Sequence, residues 1–276
     1  MRHTQGAVTL IMAAIAALGP TASTAASAAS AASAHPARIR VTATIPVGHL
    51  PFGVAASTRT DIIYVANFHS RTVSVISGRT NRVVATIPVG REPAGVAADP
   101  RTGTIYVTNQ RSGTVSVING RTNTVVATIR VGRYPFGIAA DPLTDTIYVT
   151  NAGGETVSVI SGRTDTVVAT VRIGYPAAFG IAVDPQANTI YVPNGADQTV
   201  VISGRTNTVV ARVHVGQCAF GAATDPQTDT IYVTNGCSNT VSVLVSCPGA
   251  SSGSQVVASQ SSNAARKASG CSYGGT

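Results

Sequence analysis

The sequence predicts an all-β fold, a β-propeller of four-stranded antiparallel blades, and three observations predict it. A hexapeptide recurs five times: IIYVAN at Ile62–Asn67, TIYVTN at Thr104–Asn109, Thr146–Asn151 and Thr230–Asn235, and TIYVPN at Thr189–Asn194, with tyrosines 41 to 43 residues apart. A fixed period of that size marks a repeat architecture. Each period holds four short runs rich in Val, Ile and Thr and bounded by Gly, Pro, Asn or Asp, which is strand chemistry. Tight-turn sequences join the runs, and four-stranded antiparallel units repeated radially make a propeller.

Taken in order, residues 1–34 read as a secretory signal peptide. Arg2 gives a positive start, Ala7–Leu18 is an apolar run of twelve, and Ala32-Ser33-Ala34 is a small-x-small cleavage pattern; Ala26-Ser27-Ala28 would also serve. Twelve residues are too few to span a bilayer, which takes about 20. The expected locale is therefore secreted, periplasmic or on the cell surface, without a transmembrane segment. Residues 35–247 are expected to form the propeller. Residues 248–276, rich in Ser, Ala and Gly, form an irregular tail.

Within a repeat we label the runs A to D. The A runs are small: GVAA at 53–56 and 95–98, GIAA at 137–140, GIAV at 180–183 and GAAT at 221–224. Strands converging on an axis have little room, so A is placed innermost. The D runs end in Pro46, Pro88, Arg130, Arg172 and His214. Proline lacks the ladder donor and charge blocks stray pairing, so D is the outer edge. The IYV and VVAT runs, apolar at successive positions, imply sheets buried on both faces, as in blades packed on blades. The A–B turns carry Asp99-Pro100, Asp141-Pro142, Asp184-Pro185 and Asp225-Pro226. The C–D turns read SGRTN, NGRTN, SGRTD and SGRTN; both are tight-turn chemistry.

Five A, B and C runs are present, and a fifth D run only if residues 38–47 are included. The expected closure is five blades, with this N-terminal outer strand pairing with the last blade. Gln255–Ser259 (QVVAS) resembles TVVAT and is the competing donor of that strand.

The apolar fraction is 44% and the charged fraction 11%, with no Trp, so the core is built of Val, Ile and Ala. Four cysteines in an exported chain read as two disulfides. Cys218 falls in the last D–A loop and Cys237 in the B–C loop on the same side. The expected pairs are Cys218–Cys237 and, by elimination, Cys247–Cys271. Without a C-x-x-C pair, zinc ribbons, redox motifs and covalent haem attachment have no support, and neither a metal nor a cofactor is expected.

The pattern TIYVTN…TVSVI…TNTVVATI..G..P.G.A.DP resembles the YVTN-type β-propeller repeat, whose members include archaeal surface-layer proteins and exported YncE-like proteins. The resemblance covers residues 38–245. It implies a binding or structural role toward a protein or cell-envelope ligand and brings no shared catalytic residues. Members of that family usually close with seven blades, whereas this chain supplies five.

Antiparallel connection puts the D–A and B–C loops on one face, where the repeats differ most and specificity would reside. The ligand-binding candidates there are His49, His69, Arg91, Arg133, Tyr134, Tyr175 and Gln217. Phe52, Phe136, Phe179 and Phe220, with Ala94 in the odd repeat, recur just before strand A and read as packing between blades more than as a ligand platform. Arg79, Arg121, Arg163 and Arg205 recur in the C–D turns on the opposite face, a candidate polyanion site. Nucleic acid is disfavoured as that polyanion by export and by the lack of interleaved aromatic and basic residues. Catalysis is not expected: Glu92, Glu155 and Asp197 lie in different blades, unlike the convergent carboxylates of a glycosidase. The competing reading is a lyase or hydrolase using His49, His69, Arg91 and Arg133. The protein is expected to be a monomer.

Overall fold

The computed structural model describes residues 40–57, 59–174 and 178–245. The chain separates into two compact units, 1–44 and 45–276. Of the first, only residues 40–44 are described, and they carry no regular structure. The remainder concerns the second unit.

Among the described residues nineteen strands form five antiparallel sheets, each from consecutive strands in chain order. The first blade is β1 (Pro51–Ser57), β2 (Ile62–Asn67), β3 (Thr72–Ser77) and β4 (Arg82–Pro88). The second is β5 (Pro93–Ala98), β6 (Thr104–Asn109), β7 (Thr114–Asn119) and β8 (Thr124–Arg130). The third is β9 (Pro135–Asp141), β10 (Thr146–Asn151), β11 (Thr156–Ser161) and β12 (Thr166–Arg172). The fourth is β13 (Ala182–Asp184), β14 (Thr189–Pro193), β15 (Gln198–Ser203) and β16 (Thr208–His214). The fifth has three strands among the described residues: β17 (Ala219–Asp225), β18 (Thr230–Asn235) and β19 (Thr240–Val245). The fold is the predicted all-β propeller of five blades. Residues 40–47, expected as the outer strand of the last blade, carry no strand. Gln255–Ser259, Cys247 and Cys271 lie outside the described residues.

The hexapeptide strand is the second of each blade, and in the second, third and fourth blades it is buried on both faces. Tyr106 faces one neighbour with Val115, Val117 and Ile129, while Ile105, Val107 and Ile118 face the other. Four apolar cores result, one between each pair of successive blades. Each buried Val or Ile contributes roughly 1.5–3 kcal/mol against about 1 kcal/mol for a typical hydrogen bond, so these cores dominate the stability. The outer strands depart from expectation. The burial of β4, β12 and β16 alternates, with Val84, Val168 and Val210 exposed, and in β8 both Val125 and Val126 are exposed. At the rim the blades have fanned apart, and VVAT is half-solvated.

The inner strands repeat one device. A bulge between Pro93 and Val96 leaves the Gly95 N–H outside the ladder, and it donates to Thr108 Oγ1 at 2.8 Å. That hydroxyl in turn donates to the Phe136 carbonyl of the next blade at 2.8 Å. A Cβ on Gly95 would collide with this same carbonyl, and Gly53, Gly137 and Gly180 likewise abut the carbonyls of Ala94, Phe179 and Phe220. Glycine is required there because two backbones touch.

Two polar devices hold the loops. Asn109, fully buried at the end of β6, donates through Nδ2 to Thr114 Oγ1 and Ser116 Oγ at 3.1 and 2.9 Å. Asn67, Asn151 and Asn235 make the same pair of bonds. In the A–B turns, Asp99, Asp141, Asp184 and Asp225 accept backbone N–H bonds two residues on, so they are turn residues as expected.

Candidate functional site

The D–A and B–C loops do meet on one face. His69 N–H donates to the His49 carbonyl at 3.2 Å and Phe68 N–H to Leu50 at 2.9 Å. The same two bonds join Arg91-Glu92 to Gln110-Arg111, Arg133-Tyr134 to Ala152-Gly153, and Gln217-Cys218 to Gly236-Cys237. A serine adds a third tie: the N–H groups of His49, Arg91 and Gln217 donate to Ser70, Ser112 and Ser238, each at 2.8 Å. These ties keep Leu50, Glu92, Tyr134 and Cys218 at φ between 50° and 55°, left-handed backbone that costs a residue other than glycine roughly 1 kcal/mol or more. The loop face is therefore a rigid display surface.

The candidates divide by blade. His49, His69, Arg91, Arg133, Tyr134 and Gln217 are all exposed on this face. Tyr175 lies outside the described residues. His69 and Arg91 are brought together: they line one pocket of 160 Å³ with Phe68, Arg71, Glu92 and Arg111. Arg111 Nη1 lies 3.5 Å from Glu92 Oε1. The pocket thus offers three guanidiniums to one carboxylate. His69 also stacks obliquely on Phe68, ring centroids 5.4 Å apart. Arg133 and Tyr134 stand one blade further on, and the Tyr134 ring lies over Gly153, where a side chain would collide with it. Gln217 stands with Cys218–Cys237, the disulfide expected from their loops and observed with Cα atoms 5.2 Å apart.

The sequence reading did not single out Arg71. It occupies the position just before strand C, where the other blades have Gly113, Glu155, Asp197 and Asn239. That variability was the available signal.

The three carboxylates of the face are separated and engaged. Glu92 meets Arg111, Glu155 Oε2 lies 3.9 Å from Arg172, and Asp197 Oδ2 lies 3.6 Å from His214 Nδ1. Among the described residues no three His, Cys, Asp or Glu side chains are grouped so as to hold a metal ion.

The phenylalanines pack on one another across the inner strands. Phe52–Phe136, Phe136–Phe179 and Phe179–Phe220 have centroids 5.2, 5.1 and 4.9 Å apart, the first two edge-to-face. Ala94 leaves the gap that lets Phe52 reach past the second blade. The row is packing between blades, as expected, but its end rings are half open, Phe52 at 54% and Phe220 at 51% exposure. On the opposite face Arg79, Arg121, Arg163 and Arg205 are exposed in equivalent turns.

No protein-family model matches the chain, and no curated protein matches it. Solved structures do. A chain of the hydrazine synthase of Kuenenia stuttgartiensis superposes with a TM-score of 0.63 at 21% identity, covering 71% of this chain and 58% of that one. A chain of a mitotic checkpoint complex superposes with a TM-score of 0.63 at 16% identity, covering 70% and 60%. This chain thus spans less than two thirds of either. With five antiparallel sheets and propeller-type neighbours, the protein is a β-propeller. At these identities the likeness extends to the fold alone. No helix among the described residues is long and apolar enough to cross a membrane.

Proposed function

We propose that this is an exported binding module, a non-catalytic propeller of the YVTN-repeat type, which takes an anionic protein or cell-envelope ligand on its loop face. The observation that carries the reading is the pocket where Arg71, Arg91 and Arg111 face one carboxylate, Glu92, beside the Phe68 ring. Guanidinium forks pair bidentately with carboxylate or phosphate oxygens, and Arg133 on the neighbouring blade extends the positive surface. Rigid, hydrogen-bonded loops lose little entropy on binding. Export is supported by Cys218–Cys237, because disulfides persist in oxidising compartments. Engagement of Glu92 and Glu155 with arginines, and of Asp197 with His214, each within its own blade, supports binding over general acid–base chemistry.

The test is titration of the protein with deca-glutamate and, separately, with tripolyphosphate. Arg91→Ala is expected to weaken whichever probe binds by roughly tenfold, about 1.4 kcal/mol. The stronger probe identifies the anion. Wild-type affinity in Arg91→Ala for both probes would remove the pocket from the account.

A further inference from the structure

We propose that the outward faces of the first and last blades are the two halves of one interface, completed head-to-tail by a second copy of this chain. Every junction between successive blades has the same direction. One blade presents its tyrosine and the valines of its third strand; the next presents the Ile and Val of its second strand and an inner-strand carbonyl. Tyr64, Val73 and Val75 meet Ile105, Val107 and Ile118 in this way; the pattern recurs at the next two junctions, and at the fourth Tyr191 and Val201 meet Ile231 and Val233, with Thr199 in place of the first valine.

Among the described residues, the last blade has the presenting half without a receiver. Val241 and Val243 are 49% and 55% exposed, whereas their counterparts in the first three blades, Val73 and Val75, Val115 and Val117, and Val157 and Val159, are buried. Gly221, unlike Gly53, Gly95, Gly137 and Gly180, has no carbonyl of another blade against it. Thr234 is exposed, and its hydroxyl has only Gly221 of its own blade within reach, where Thr108 and Thr150 reach the carbonyls of Phe136 and Phe179. Among the described residues, the first blade has the receiving half without a presenter. Val54 is 65% exposed on its inner strand, and Ile63 and Val65 are only partly covered, whereas Ile105 and Val107 are fully buried.

Both half-interfaces are therefore shaped for a surface this chain carries, and the contact is continuous with one it already makes four times. Because the two halves differ, the association is heterologous, each copy offering a different end. It is apolar, so it should persist in high salt. The proposal puts self-association in place of the monomer expected from sequence.

Sedimentation of the full chain as exported, from 1 to 100 µM in 0.5 M NaCl, is expected to show a mass that rises with concentration. Val54→Arg and Val243→Arg, both at exposed positions that leave the fold intact by circular dichroism, are each expected to weaken self-association by roughly tenfold or more. Mixing the two variants should restore one intact junction and give a 1:1 dimer, because each supplies the end the other lacks. A single chain mass at every concentration would overturn the proposal, as would association indifferent to both substitutions or a mixture that stays monomeric.

Discussion

The Thr108 hydroxyl donates a 2.8 Å hydrogen bond to the Phe136 carbonyl, one blade on, while accepting from Gly95 N–H in its own blade. This is the polar link between inner strands, and it exists because the bulge in β5 frees an N–H and glycine admits the neighbouring backbone. Gly95→Ala is expected to cost roughly 1–3 kcal/mol through overpacking against a backbone that cannot give. Thr108→Val is expected to cost about as much by orphaning two buried groups. The same changes at Gly221 and Thr234, against which no other blade of the same chain packs among the described residues, should stay within about 0.5 kcal/mol in the dissociated monomer at low protein concentration. Chemical denaturation of the four variants checks the contrast, and equal losses at both ends would contradict it.

The Cys218–Cys237 bridge closes a separation of 19 residues between loops already joined by two backbone hydrogen bonds. Cys218→Ser with Cys237→Ser is expected to lower the unfolding free energy by about 3 kcal/mol, chiefly by freeing the unfolded chain. Peptide mapping without reductant should recover the two cysteines in one linked fragment.

The buried tyrosines should set an alkaline limit on stability. Burial, with Asp141 nearby, pushes Tyr148 up to about 12, and burial, with Asp184 and Asp229, pushes Tyr191 up to about 12. Burial also raises Tyr64 and Tyr106 above the ordinary phenol value. The unfolded chain releases these protons near pH 10 while the folded chain keeps them. Their contribution is therefore whole below pH 10 and lost as pH rises from 10 toward 12. Melting temperatures should be flat with respect to phenol ionisation below pH 10 and fall steeply above it. Tyr148→Phe should flatten that fall, and phenolate absorbance should appear together with unfolding.

The blades were legible in the sequence because their chemistry is periodic. Thr104–Asn109 and Thr114–Asn119 sit where the short Val-, Ile- and Thr-rich runs put them, and Asp99 makes the turn its Asp-Pro pair implies. The disulfide followed from placing Cys218 and Cys237 on loops of one face. Other features depend on relations a local pattern does not encode. Val84 and Val126 read as buried, yet blades diverge toward the rim and leave them open. Asn109 stands in the sequence only as the last residue of the hexapeptide, whereas its buried amide holds Thr114 and Ser116. Phe52 meets Phe136 only because Ala94 stands between them in the ring order. Arg71 enters the pocket from a position that looks like a turn residue in the other repeats. Counting repeats likewise says how many blades exist but not what the first and last will touch.

The central claim is that function resides on the loop face, with the conserved-looking hexapeptide and its turns as scaffold. The most direct test compares two triple variants that each remove three positive charges: Arg71→Ala/Arg91→Ala/Arg133→Ala on the loop face, and Arg79→Ala/Arg121→Ala/Arg163→Ala in the opposite turns. Calorimetric titration with deca-glutamate at 0.15 M NaCl is the measurement. The account predicts that the loop-face triple loses binding by roughly a hundredfold while the turn triple stays within about threefold of wild type. Loss confined to the turn triple, or equal loss in both, would contradict it.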